Sequence, residues 1–158
     1  MSESQHRIAA LELDQKSIVR WSPQVEHERS VAIFDLLEGN FFKLADGSEG
    51  PYSVVLSLRE SNIVFTVTAE GRAEPIEIVL TTRAFRRVIK DYFMICDSYF
   101  QAIKGATPSR IESIDMARRG LHNEGSDILR DALDGRVEID HDTARRLFTL
   151  VCVLHIRG

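Results

Sequence analysis

The sequence predicts an α+β fold, a small and mostly antiparallel sheet of about four to five strands packed by helices, with a helical C-terminal half. Three observations carry that expectation. Apolar residues alternate with polar ones from Tyr52 to Leu58, from Ile63 to Val67 and from Ile76 to Leu80, the two-residue period of strands with one buried face. Short polar connections, Glu60-Ser61-Asn62 and Glu70 to Pro75, join these runs into a meander. From Thr82 the apolar period lengthens to that of helices and holds for most of the remaining chain.

In chain order, residues 1–6 read as a disordered tail and residues 7–158 as one α+β domain, long enough to bury a single core. Arg7 to Asp14 reads as a first strand with Ile8, Leu11 and Leu13 as its apolar positions. Ser22 as N-cap and Pro23 at the first helical position open a helix that Gly39 ends, with Val25, Ala32, Ile33 and Leu36 as its core stripe. His27 faces away from that stripe and reads as solvated. Asn40 to Leu44 follows as a short strand, and Ala45 to Pro51 as a turn-rich loop.

Thr82 is expected to cap a helix running to about Lys104 and stopped by Gly105. Its apolar positions, from Phe85 through Tyr92, Cys96 and Phe100 to Ile103, cover half its circumference and mark it as the central core helix. Arg83, Arg86, Arg87 and Lys90 share the other face, where Met94 is the one exposed apolar residue. Cations this early oppose the helix dipole, so acids or a bound anion should answer them.

The stretch from Thr107 to Gly125 is the most informative. With Thr107 as N-cap and Pro108 next, Ile111, Ile114, Ala117 and Leu121 form an apolar arc, and Arg118 falls inside it. Ile111, Asp115, Arg118 and His122 stand in one row, half core and half ionic. A guanidinium drawn toward the core must be paired, by Asp115, Glu112 or an acid from another element. Gly120 and Gly125 each cost a helix about 1 kcal/mol relative to alanine, so a break is expected between Arg119 and Ser126, followed by a short helix from Asp127 to Leu133. Arg136 to Ile139 reads as a short strand or linker, and a last helix starts at Asp140 or Asp142. Its second half is apolar nearly all round, as in a helix buried on every side or lying in a subunit interface, and the β-branched residues from Thr149 to Ile156 leave a strand open there.

This stretch, with Phe85 to Cys96 and Thr143 to His155, resembles a bacterial family known as uncharacterised protein family 0262. The likeness spans nearly the whole chain and is most specific from Thr81 onward. This chain departs from the family's pattern at Ala117, where glycine is frequent, and at Ile156, where tryptophan is seen. The resemblance implies no activity, ligand or catalytic residue, so it assigns no role to any position.

Composition excludes several classes. The net charge of −4 divides unevenly: 7 basic and 13 acidic residues through Leu80, 13 and 11 from Thr81 onward. Neither part has the positive excess of a dedicated nucleic-acid binder. No apolar run approaches the roughly 18 to 20 residues of a membrane span, and the acidic N-terminus lacks a signal-peptide core, which points to the cytoplasm. Cys96 and Cys152 lie in apolar runs without a Cys-x-x-Cys partner and read as buried free thiols.

Gly120 to Ser126 imitates a phosphate-binding loop in its glycine spacing but lacks the lysine and the preceding strand. The five histidines show no zinc spacing, and Asp140-His141-Asp142 reads more simply as an acidic helix entry. No cofactor, metal site or catalytic residue is assigned.

Two functional expectations follow. The first is a non-enzymatic cytoplasmic binding or regulatory protein acting through protein contacts, as a homo-oligomer or with a protein partner. The second is a small-anion or nucleotide site, with or without chemistry, built from Arg118, Arg119, His122 and Asn123, extended by Arg86 and Arg87, with Glu124 and Asp115 as acid and base.

Overall fold

The computed structural model describes residues 5–14 and 23–155. Most of the expected N-terminal tail, the Ser22 cap and Ile156 lie outside them. Within them, strand β1 (Ile8–Asp14), helix α1 (Pro23–Glu38) and strand β2 (Phe42–Leu44) lead into the meander β3 (Tyr52–Arg59), β4 (Asn62–Ala69) and β5 (Ile76–Thr81). A short 3-10 turn, Thr82–Phe85, then precedes α2 (Arg86–Ile103), α3 (Pro108–Leu133), β6 (Val137–Ile139) and α4 (His141–Leu154).

The main sheet has the order β1-β3-β4-β5. The alternation read in the sequence appears as two antiparallel hairpins, with Leu56 opposite Phe65 and Phe65 opposite Ile78. The third pairing is parallel: β1 runs alongside β3 with Leu11 opposite Val54 and Leu13 opposite Leu56. Parallel neighbours require a crossover, and α1 supplies it. Of the expected Arg136 to Ile139, Val137–Ile139 forms a strand, which pairs antiparallel with β2 as a separate two-stranded ribbon, Phe42 opposite Ile139.

Asn40 binds the crossover to the sheet edge. Its side chain accepts from the Ile8 amide at 2.7 Å and donates to the Ile8 carbonyl at 3.0 Å and the Leu36 carbonyl at 2.8 Å. The end of α1 and the start of β1 thus satisfy their open backbone groups on one amide. The His6 carbonyl accepts from the Phe42 amide, joining the described N-terminal residues to β2.

Several expectations are corrected. Thr82 does not cap the helix: it is buried in the 3-10 turn, which Thr81 caps by accepting from the Arg83 amide, and α2 starts after Phe85 with no side-chain cap. The expected break after Arg119 is absent: α3 is one helix of 26 residues from Pro108 to Leu133. A Cβ on Gly125 would lie 2.3 Å from the Phe148 ring, so this glycine lets α3 approach α4 instead of ending the helix. At Gly120 a Cβ would meet nothing within 4 Å. Ala117 and Ile103, expected on apolar faces, are exposed.

The central helix is α4, not α2. Thr143, Ala144 and every residue from Leu147 to Leu154 are buried, and α4 packs against α1, α3 and β3. Its all-round apolar character is met inside the fold, which removes the observation that suggested a subunit interface. Asp140 caps it, accepting from the Thr143 amide at 2.8 Å, and the helix continues to Leu154 where a strand had been left open. One hydrophobic cluster joins the inner face of the sheet, including Tyr52, Leu56 and Phe65, to Leu36 of α1, Tyr92 of α2, Leu129 of α3 and Phe148 of α4.

Candidate functional site

All four helices contribute to one cavity of about 630 Å³. Pro23, His27, Glu28, Val31, Ala32 and Asp35 come from α1, and Tyr92, Tyr99 and Phe100 from α2. Arg118 and His122 come from α3, and Arg145, Arg146 and Thr149 from α4. The α1 positions recur at helical spacing, so one face of that helix forms a wall.

Arg118 is held from three sides. Its Nη2 donates to Asp115 Oδ1 at 2.8 Å, its Nη1 lies 3.7 Å from Glu28 Oε1, and its guanidinium carbon sits 4.5 Å from the centre of the Tyr99 ring. The partner expected from α3 is therefore present, together with a second acid from α1. Asp115 uses its other oxygen on Arg119 Nη2 at 2.9 Å. The hydrogen bond from Arg118 holds the Asp115 carboxyl below its ordinary range, with the charges of both arginines adding to the effect. Glu28 moves the other way: burial raises its pKa against the attraction of Arg118.

His122 packs among rings, 5.2 Å from Tyr92 and 6.0 Å from Phe148 by centroids. The Thr149 hydroxyl donates to the Arg145 carbonyl at 3.2 Å, leaving its lone pairs to accept from His122 Nε2–H. Burial, then the charges of Arg145 and Arg118, push the imidazole pKa down to about 4. His122 is thus a neutral, oriented donor near pH 7. Cys96 and Cys152 are both buried and free, and burial raises both thiols, Cys96 to about 11, which leaves neither as a thiolate nucleophile.

The cluster named from the sequence divides in two. Arg118 and His122 line the cavity; Arg119, Asn123, Arg86 and Arg87 do not. Arg119 is exposed, and Asn123 Oδ1 lies 3.3 Å from His141 Nε2. Arg87 pairs with Asp91 at 3.0 Å and with Glu124, so an acid answers this cation near the start of α2 and Glu124 is engaged there. Arg86 is exposed. Asp115, ion-paired twice, is poorly suited to accept a proton. Among the described residues no group of three or more histidine, cysteine, aspartate or glutamate side chains is placed to hold a metal ion.

Sequence reasoning missed Arg145 and Arg146. They are the two half-buried residues in the otherwise buried run from Thr143 to Leu154, and that interruption was the available signal. Arg146 Nη1 donates to the Gly39 carbonyl at 3.4 Å. Neither arginine is ion-paired to a carboxylate among the described residues.

Fold and site define an α+β protein with an interhelical cavity lined by arginines, a neutral histidine and aromatic rings. The model of an uncharacterised protein family, UPF0262, matches residues 5–157. The chain belongs to that bacterial family. It is 57% identical over 153 residues to a UPF0262 protein of Brucella anthropi, covering 96% of this chain and 95% of the relative. It is 56% identical over 149 residues to one of Rhodospirillum rubrum, covering 94% and 91%, and 53% identical over 157 residues to one of Caulobacter vibrioides, covering 99% and 98%. No solved structure matches. No helix among the described residues is long and apolar enough to cross a membrane.

Proposed function

We propose that the protein binds a small organic anion in the interhelical cavity, as a binding or regulatory protein and not an enzyme. One observation carries the reading: Arg145 and Arg146 face this concave site from a helix whose neighbouring residues are buried, and neither has a carboxylate partner among the described residues. Adjacent like charges with reduced access to water repel, and an anion between them relieves that repulsion while gaining charge-assisted hydrogen bonds. Arg118 plays a different part, because Asp115, Glu28 and the Tyr99 face already occupy it. It braces the wall against which a ligand lies.

The competing role through protein contacts loses its main support once burial within the chain accounts for α4. We assign the binding to the cytoplasm, a reducing compartment in which buried free thiols such as Cys96 and Cys152 are ordinary.

The test is a thermal-shift screen of small carboxylates, phosphate and nucleotides, run on the wild type and on an Arg145→Gln/Arg146→Gln variant. A ligand at about 100 times its Kd adds about 2.7 kcal/mol to stability, and the expected shift disappears in the variant while its far-UV spectrum stays the same. A screen with no shift, or a shift that the variant retains, overturns the reading.

A further inference from the structure

We infer that the ligand is a monoanion carrying a planar apolar ring, an aromatic carboxylate in chemical class, and not a nucleotide or free phosphate. This deepens the anion reading above and rests on it. Charge and the layout of the walls carry it.

The cavity's own charges nearly cancel. Arg118, Arg145 and Arg146 stand against Glu28 and Asp35, leaving one positive charge with the histidines counted neutral. Asp115 does not alter that balance, because Arg119 offsets it. A single carboxylate brings the site to neutrality. A nucleoside triphosphate would bring several negative charges beside two carboxylates with restricted access to water, where uncompensated charge is costly.

The walls are also divided by chemistry. The rings of Tyr99 and Phe100 come from α2, and Arg145 and Arg146, without a carboxylate partner among the described residues, come from α4. Helix α3 packs against both α2 and α4, and its Arg118 lies over the Tyr99 ring. Guanidinium groups without a carboxylate partner and aromatic rings therefore reach one cavity from different helices, and a ligand that uses both carries a charge and a ring. At about 630 Å³ the cavity lies within the range of small-molecule sites. An inorganic anion would leave most of that space to water and the aromatic wall without a contact.

The experiment is a calorimetric titration of the full chain with benzoate, indole-3-carboxylate, benzyl alcohol, AMP and inorganic phosphate. It is repeated on Arg145→Gln/Arg146→Gln and on Val31→Trp, which places bulk on the cavity wall from a position 42% exposed. The aromatic carboxylates are expected to bind at least about tenfold tighter than benzyl alcohol, AMP or phosphate. The arginine variant is expected to lose that preference, and Val31→Trp to weaken the aromatic carboxylates more than phosphate. If AMP or phosphate binds tighter, or if Val31→Trp affects no probe, the ligand class is overturned and the anion site survives. If benzyl alcohol matches benzoate, or binding ignores the arginine variant, the anion reading falls with it. Failure of every probe to bind overturns both.

Discussion

At the residue scale, the ion cluster around Arg118 shows how one half-buried row serves both core and cavity. Asp115, Arg118 and His122 occupy successive positions of the row, and each meets a different partner: Arg119, Glu28 and Thr149. The electrostatic consequence is sharpest at His122. An unfolded histidine titrates near 6.5, whereas the folded state holds this one at about 4. Between those values the unfolded chain binds the extra proton, so stability rises with pH through the interval. The contribution is complete above about pH 6.5 and is lost as pH falls toward 4, up to about 3 kcal/mol. Glu28, raised by burial, runs the other way and reduces the net slope. Urea denaturation near pH 7 and near pH 5 is expected to show this loss in the wild type and a smaller loss in His122→Gln. An unchanged slope in the variant would place the pH dependence elsewhere.

At the element scale, the two glycines of α3 make opposite expectations. Both carry the same intrinsic cost, about 1 kcal/mol relative to alanine. Gly120 is exposed with open space at its Cβ position, so Gly120→Ala is expected to raise stability by about that amount. At Gly125 the added carbon would strike the Phe148 ring, and the substitution is expected to cost about 1 to 3 kcal/mol by forcing α3 from α4. Thermal melts of the two single variants should move in opposite directions. Movement in the same direction would contradict the packing argument.

The same contrast marks how far the fold was legible in the sequence. Alternation identified β3, β4 and β5, and the cap Thr107 was readable, with the last cap narrowed to Asp140 or Asp142, because such polar atoms act within one turn. The continuity of α3 was not readable. It depends on packing against α2 and α4, which outweighs a local cost that sequence alone displays. Nor could the parallel partner of β1 be read, since strand pairing across a crossover leaves no periodic mark.

At the scale of the whole molecule, one apolar cluster runs from the sheet through α4 to the other three helices, with no described layer holding a separate core. Unfolding is therefore expected to be a single cooperative event. Far-UV circular dichroism and the near-UV circular dichroism to which the buried Tyr52 and Tyr92 contribute should give the same midpoint in urea. Two separated transitions would divide the chain into independent units.

The cavity was only partly legible for a related reason. Arg118 and His122 stood out because their helix row was already half ionic. Glu28, Tyr99 and Arg145 stand on three other helices, and each looks ordinary in its own neighbourhood of the sequence. Only the crossing of the helices brings them together.

That separation makes the cavity a property of the closed fold and of no segment within it. Its walls fall between residues 23 and 149, interleaved with strands of both sheets. A cut in the connection between α2 and α3 would leave Tyr99 on one fragment and Arg118 on the other, and a cut ahead of α4 would remove Arg145 and Arg146. Under the proposed reading, occupancy of the site would amount to a readout of chain integrity, distinguishing the finished protein from its pieces.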